Sequence, residues 1–307
     1  MADEHGGSRP RRDDRGDAAR RDGRLASPGR GERSDSTGRE RRPASPRDRR
    51  SSTDRPPEQR LSERRPPADR PKDPTVDEDV SGRELDPAVR DELKTLPGQI
   101  AGAVARHLVM ADRLLEDDPE LAYQHTLAAR RRAARVGVVR EAAGVAAYAA
   151  GHYADALAEL RAARRIGGSD DYLPMMADCE RGLGRPRRAL DLAADPAVAR
   201  LDTAGRVEML IVAAGARRDL GQLDAAIVSL QVPELKARSR AGWAVRLRYA
   251  YADALLAGGR DDEARRWFVR AAEADVDEVT DAAERAAAID GIVMVAEPDL
   301  PDESGRG

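Results

Sequence analysis

The chain has 307 residues and a formal net charge of −3, a length that suits one large domain or two ordinary ones. Charge is unevenly placed: residues 1–72 hold 21 of the 53 Lys+Arg and 14 of the 56 Asp+Glu, about +7, which leaves about −10 on the remaining 235. No stretch approaches the roughly 18 apolar residues of a membrane-spanning helix, and the single Cys179 excludes a disulfide framework or a Cys-based zinc site within one chain.

Residues 1–82 read as a disordered arm built from Arg, Asp, Ser, Pro and Gly. After Met1, the only large apolar side chains before position 73 are Leu25 and Leu61, too few to offset the entropy of ordering the backbone. Pro66, Pro67 and Pro71 also forbid a continuous helix there. Two roles fit this arm. Its arginines suit an electrostatic tether to RNA, DNA or ribosomes, because neutralising phosphates releases counterions. Its interleaved acids and lack of aromatics suit a solvating spacer. The N-terminus has no apolar signal-peptide core, so the expected location is cytoplasmic. Fifty arginines beside three lysines, with no asparagine, are the composition expected of a GC-rich bacterial genome.

From about Leu96 the chain is rich in Ala, Leu and Arg, with apolar residues spaced at three, four and seven and no β-branched runs, which is an all-α pattern. Its short breaks repeat. Gly151, Gly184, Gly221 and Gly259 stand 33, 37 and 38 residues apart, and each is followed five residues later by Ala156, Ala189, Ala226 or Ala264. Seven residues before each glycine is a small residue: Gly144, Ala177, Ala214 and Ala252. Nine and twelve after it stand Leu160 and Ala163, or Phe268 and Ala271, while Leu230 repeats the first of these offsets. A glycine that closes one helix accepts the left-handed conformation, and an alanine in the first turn of the next lets the two helices approach closely. A helix pair of this kind needs stacked neighbours to bury its apolar face. An upstream pair fits loosely, with Ala122 and Ala129 in place but Asp117 at the glycine position.

These residues resemble the tetratricopeptide repeat. The family's first-helix tryptophan is replaced by Arg140 and Arg248 in two units, and its closing proline is mostly missing. The resemblance implies a right-handed superhelical stack of about five helix pairs within a domain over 83–295. The units fall at about 99–136, 137–169, 170–203, 207–241 and 245–278, followed by a capping helix and a disordered acidic tail over 296–307. The concave wall of such a stack comes from the first helix of each pair. Here the wall positions include Glu141, Tyr148, Asp178, Arg181, Arg218, Arg246, Tyr249 and Asp253.

Such a wall suits an extended peptide or a partner helix, arginines meeting carboxylates and tyrosines giving rigid contact area; the same residues also read as ordinary solvated helix faces. Arg130, Arg131, Arg164 and Arg165 close the second helices of the first two units. They form either a basic edge for nucleic acid or an acidic partner, or a dipole offset worth roughly 0.3–1 kcal/mol each. Asp117-Asp118, Asp170-Asp171 and Asp261-Asp262 read as helix caps, and Cys179 as packed core. His5, His107, His125 and His152 have no metal-ligand spacing, and no phosphate-binding or nucleophile motif occurs. The chain is therefore expected to be a non-enzymatic protein–protein scaffold or adaptor without cofactor, metal, membrane or small-molecule substrate. The alternative is a nucleic-acid- or ribosome-associated factor that uses the arm as its tether.

Overall fold

The computed structural model describes residues 72–292; residues 1–71 and 293–307, which hold most of the expected arm and the acidic tail, lie outside the described residues. The described residues are all-α, with twelve helices and no strand. In chain order these are α1 (Pro87–Leu93), α2 (Gly98–Arg113), α3 (Pro119–Ala133), α4 (Gly137–Ala149), α5 (Tyr153–Gly167) and α6 (Leu173–Gly182). Then follow α7 (Pro186–Ala193), α8 (Thr203–Asp219), α9 (Leu223–Ser229), α10 (Gly242–Ala257), α11 (Asp261–Ala272) and α12 (Ala282–Ile289). Each helix packs on its predecessor, and α2 with α4, α6 with α8 and α8 with α10 also touch, so the array is repeat-like. None of these helices is long and apolar enough to cross a membrane.

The turns explain the spacing of the glycines. Gly151, Gly184, Gly221 and Gly259 all adopt the left-handed conformation, at φ of 75°, 69°, 73° and 73°. In each case the next residue's N–H reaches back to a carbonyl five residues earlier. His152 donates to Ala147 (2.8 Å), Arg185 to Glu180 (2.8 Å), Gln222 to Arg217 (2.9 Å) and Arg260 to Leu255 (3.0 Å). One orphan carbonyl at each helix end is thereby satisfied, and the chain reverses within three residues.

The small residues set how near the helices lie. Ala156, Ala189, Ala226 and Ala264 are all fully buried, as are Ala177 and Ala252. At Gly144 the approach leaves no room for a side chain: a Cβ there would sit 2.5 Å from Leu160 Cδ2 and 2.6 Å from Cγ. Leu160, Leu230 and Phe268, each nine residues after a repeat glycine, are the large side chains that fill the space between helices.

The second helices are unequal. α5 and α11 have 15 and 12 residues, whereas α7 and α9 stop after 8 and 7 and continue as 3-10 turns, Pro196–Arg200 and Pro233–Lys236. The cause is local. Twelve residues after Gly184 and Gly221, where the other units carry Ala163 and Ala271, stand Pro196 and Pro233, which lack the N–H to extend a helix and disfavour it in the residue before. α8, the longest helix, lies between the two larger cores. It gives Met209, Val212 and Ala216 to the one built with α2–α7, and Val207 and Ala214 to the one built with α9–α12.

Residues 72–82, assigned to the arm on composition, pack on the domain. Val80 is buried against Val109 and Met110, Asp79 accepts from Arg113 at 2.9 Å, and Asp73 is paired with both Arg131 and Arg132. Those two guanidiniums hold the Asp73 carboxyl down at about 2. The composition of the arm concealed this because Val76 and Val80 follow a long stretch with almost no apolar side chain.

Under this strap α2 and α3 bury two histidines. His107 Nδ1 and His125 Nδ1 are 3.0 Å apart, so one ring carries its proton on Nδ1 and the other leaves it bare. Burial, and then the neighbouring ring of His125, push His107 down to about 4; burial also pushes His125 down. The fold therefore favours neutral rings, and the unfolded chain takes up protons first as pH falls below about 6.5. Stability from this pair is complete above that pH and declines towards pH 4. Urea denaturation across this window should show the decline, and His107→Gln should make it shallower. Gly144→Ala should lower stability by about 1–3 kcal/mol through overpacking against Leu160, read as a lower urea midpoint with an unchanged slope.

Candidate functional site

The wall positions on α4, α6, α8 and α10 face one another across successive pairs and are joined by side-chain bonds. Tyr148 on α4 donates its hydroxyl to Asp178 on α6 at 2.6 Å, and Asp178 also accepts from Arg181 at 2.7 Å. Arg181 then reaches α8, donating to Asp219 at 2.9 Å. Its guanidinium lies over the backbone at Gly215, where a Cβ would come within 2.6 Å of Cζ. Arg246 on α10 donates to Glu208 on α8 at 2.5 Å, and Arg218 on α8 is ion-paired with Asp253 on α10. Asp253 also accepts from Arg285 on α12 at 2.7 Å, and Arg285 donates to the Tyr249 hydroxyl at 3.0 Å. Seven of the eight wall residues thus belong to a ladder of rungs, each linking one first helix to the next. Glu141, the eighth, sits beside Tyr172, just before α6.

Burial tunes these groups. Burial, then the hydrogen bond to Asp178, push the Tyr148 hydroxyl well above its ordinary range. Burial, then the charge of Glu141, push Tyr172 up to about 12, and burial followed by Glu92 raises Glu141. The tyrosines therefore remain neutral donors at any physiological pH.

Between the rungs the wall opens into three clefts. The first, about 410 Å³, lies between α1, α2 and α4 and has Leu108, Val138, Val145 and Tyr172 in its lining. Its charged lining residues are all acidic: Glu84, Asp86, Asp112 and Glu141. The second, about 520 Å³, shares Tyr172 with the first and contains Tyr148, Asp178 and Arg181. The third, about 490 Å³, shares Arg181 with the second and contains Arg218, Arg246, Tyr249 and Asp253. All eight wall residues predicted from sequence line one of these clefts.

Three participants in the ladder escaped the sequence reading, Glu208, Asp219 and Arg285, as did Tyr172 beside Glu141. Asp219 adjoins Arg218 and was within reach of the repeat register. Arg285 was not, because α12 follows no glycine frame that assigns a wall position.

The basic edge is largely engaged by carboxylates. Arg130 is paired with Glu159, which Arg140 also meets at 2.5 Å; Arg131 is paired with Asp73. Arg164 bonds Asp170 at 2.8 Å and lies 3.4 Å from Asp195, and Arg165 makes no ion pair among the described residues. Two of the carboxylates are deeply buried. Glu159 bridges its two arginines, and Glu180 accepts from Arg161 at 2.8 Å with Arg185 at 3.6 Å. Neither was singled out from sequence, although Glu159 stands eight residues after Gly151, in a fixed place of the repeat.

No family model matches the sequence, and no curated protein is similar to it. Its site is therefore defined by geometry alone. Glu159→Gln should cost about 1–3 kcal/mol, since it removes the charge that compensates two partly buried guanidiniums which keep some solvent contact; urea denaturation measures it.

Proposed function

We propose that residues 83–292 form a tetratricopeptide-like stack, coiled as a right-handed superhelix, that binds a protein partner along the wall of first helices. The carrying observation is the row of three clefts sharing Tyr172 and Arg181, with all eight wall residues in their lining. The ladder supports this reading because it fixes the rotamers of long side chains before a partner arrives, so less entropy is lost on binding. The arginines along the second and third clefts are all ion-paired, so affinity there rests mainly on tyrosine faces and apolar floor.

The first cleft adds a directional element. An apolar floor under four carboxylates suits a partner segment that pairs a large apolar side chain with Lys or Arg, carried by a helix or an extended peptide. The protein in this reading is an adaptor that holds such a segment and performs no chemistry on it. A nucleic-acid role gains less support from the described region, where Arg130, Arg131 and Arg164 are engaged by carboxylates.

Val145 lines the first cleft, half-buried and outside the core clusters. Val145→Arg should fill the cleft and place a cation among the carboxylates while leaving helical content unchanged. The full chain should retain protein partners from its source lysate after nuclease treatment, and the Val145→Arg chain should lose them. Equal retention by both, or loss of all partners on nuclease treatment alone, would refute the reading.

A further inference from the structure

Away from the wall, a cleft of about 570 Å³ lies between the 235–240 loop, α10 and α11, and shares no residue with the three clefts described above. Lys236, Arg238, Arg240, Arg248 and Arg270 line it around the half-buried ring of Trp267. The one acidic residue in its lining is Glu273. None of the five cations makes an ion pair among the described residues, whereas fourteen other arginines between Arg130 and Arg285 do.

Arg248 carries the case. It is only 7% exposed, and its one bond is from Nη2 to the Ala237 carbonyl, at 2.5 Å. The repeat supplies an internal comparison. Arg140 and Arg248 both stand eleven residues before a repeat glycine, and Glu159 and Trp267 both stand eight after. Arg140 likewise bonds a loop carbonyl, that of Ala134, at 2.7 Å, but it also meets Glu159 at 2.5 Å. In the last unit that carboxylate is replaced by an indole, with Arg270 stacked 4.6 Å from the ring centroid. A buried guanidinium has lost its counter-charge while further cations have gathered around it. Burial, and then Arg270, lower the pKa of Arg248, the mark of an uncompensated cation.

We propose that this cleft is a binding site for a compact, multiply charged phosphate ligand of the pyrophosphate class, free or as the diphosphate of a nucleotide. One such anion neutralises several cations at once, takes up the forked donors of Arg248, and occupies the place that Glu159 holds in the second unit. A monocarboxylate would leave most of the cluster unpaired.

Trp267 reports on its own site. The chain has two tryptophans, so Trp243→Phe in the full chain leaves Trp267 as the only indole. Titration of this chain with pyrophosphate and, separately, with ADP should give a saturable change in fluorescence that weakens with added salt. The exposed triple substitution Lys236→Ala/Arg238→Ala/Arg240→Ala, which leaves the core untouched, should weaken binding by about tenfold or more, equivalent to about 1.4 kcal/mol. Arg248→Met should abolish it, with circular dichroism confirming the fold. Tighter binding of ADP than of pyrophosphate assigns the nucleotide, and equal binding assigns the phosphate group alone. The proposal is overturned by no saturable change at millimolar pyrophosphate. It is equally overturned by calorimetric binding that survives the triple substitution, which would belong to the arginines of the arm. Displacement by a glutamate-rich peptide at equal affinity would overturn the phosphate class.

Discussion

Everything in this domain depends on helices being able to approach to the distance that alanine and glycine allow. With aromatics at 3% of the chain, there are few large side chains to fill wide gaps between helices. The fold closes those gaps instead, placing Ala156, Ala189, Ala226 and Ala264 at buried contacts and a bare Cα at Gly144 opposite Leu160. Close packing recovers through dispersion contacts what the small side chains lack in apolar area. The left-handed glycines are the other half of this arrangement, since a three-residue reversal brings the second helix back at once on the first.

Thin helices also decide where the charged side chains go. An Arg or Glu whose Cα lies near a neighbouring helix has enough reach to cross to it, and Tyr148, Asp178, Arg181 and Asp219 do so in sequence. The result is a protein whose cohesion between units is partly polar. Glu159 and Glu180 show the same arrangement in the interior, each meeting two arginines from neighbouring elements. Against these paired interior charges Arg248 stands out, a buried guanidinium with no carboxylate partner among the described residues.

How much of this was legible in the sequence differs from one element to another. The helical class, the four glycine turns and the burial of the repeat alanines follow from spacing, because each position imposes a steric condition that only Gly or Ala meets. The register places the eight expected wall residues on the successive first helices α4, α6, α8 and α10, but it says nothing of their bonding, since reach between helices depends on rotamers that no periodicity encodes. The short α7 and α9 also have their cause in the sequence, in Pro196 and Pro233 at the offset where the other units carry alanine. The histidine pair was invisible, because 18 residues separate His107 from His125 and only the pairing of α2 with α3 brings them together. The packing of Val80 was hidden for a similar reason: one valine at the edge of a polar stretch carries no periodic signal.

The position of α8 has a consequence of its own. It is the only element that the two larger cores share, so each side of the molecule keeps a nearly complete set of its own contacts when the other is disturbed. In an array whose contacts are between neighbours, cooperativity passes from one block to the next only through such shared elements. The 17 residues of α8 carry both sets of contacts, Met209, Val212 and Ala216 towards α2–α7 and Val207 and Ala214 towards α9–α12. A substitution on either face of α8 therefore touches one core directly and the other through the same helix.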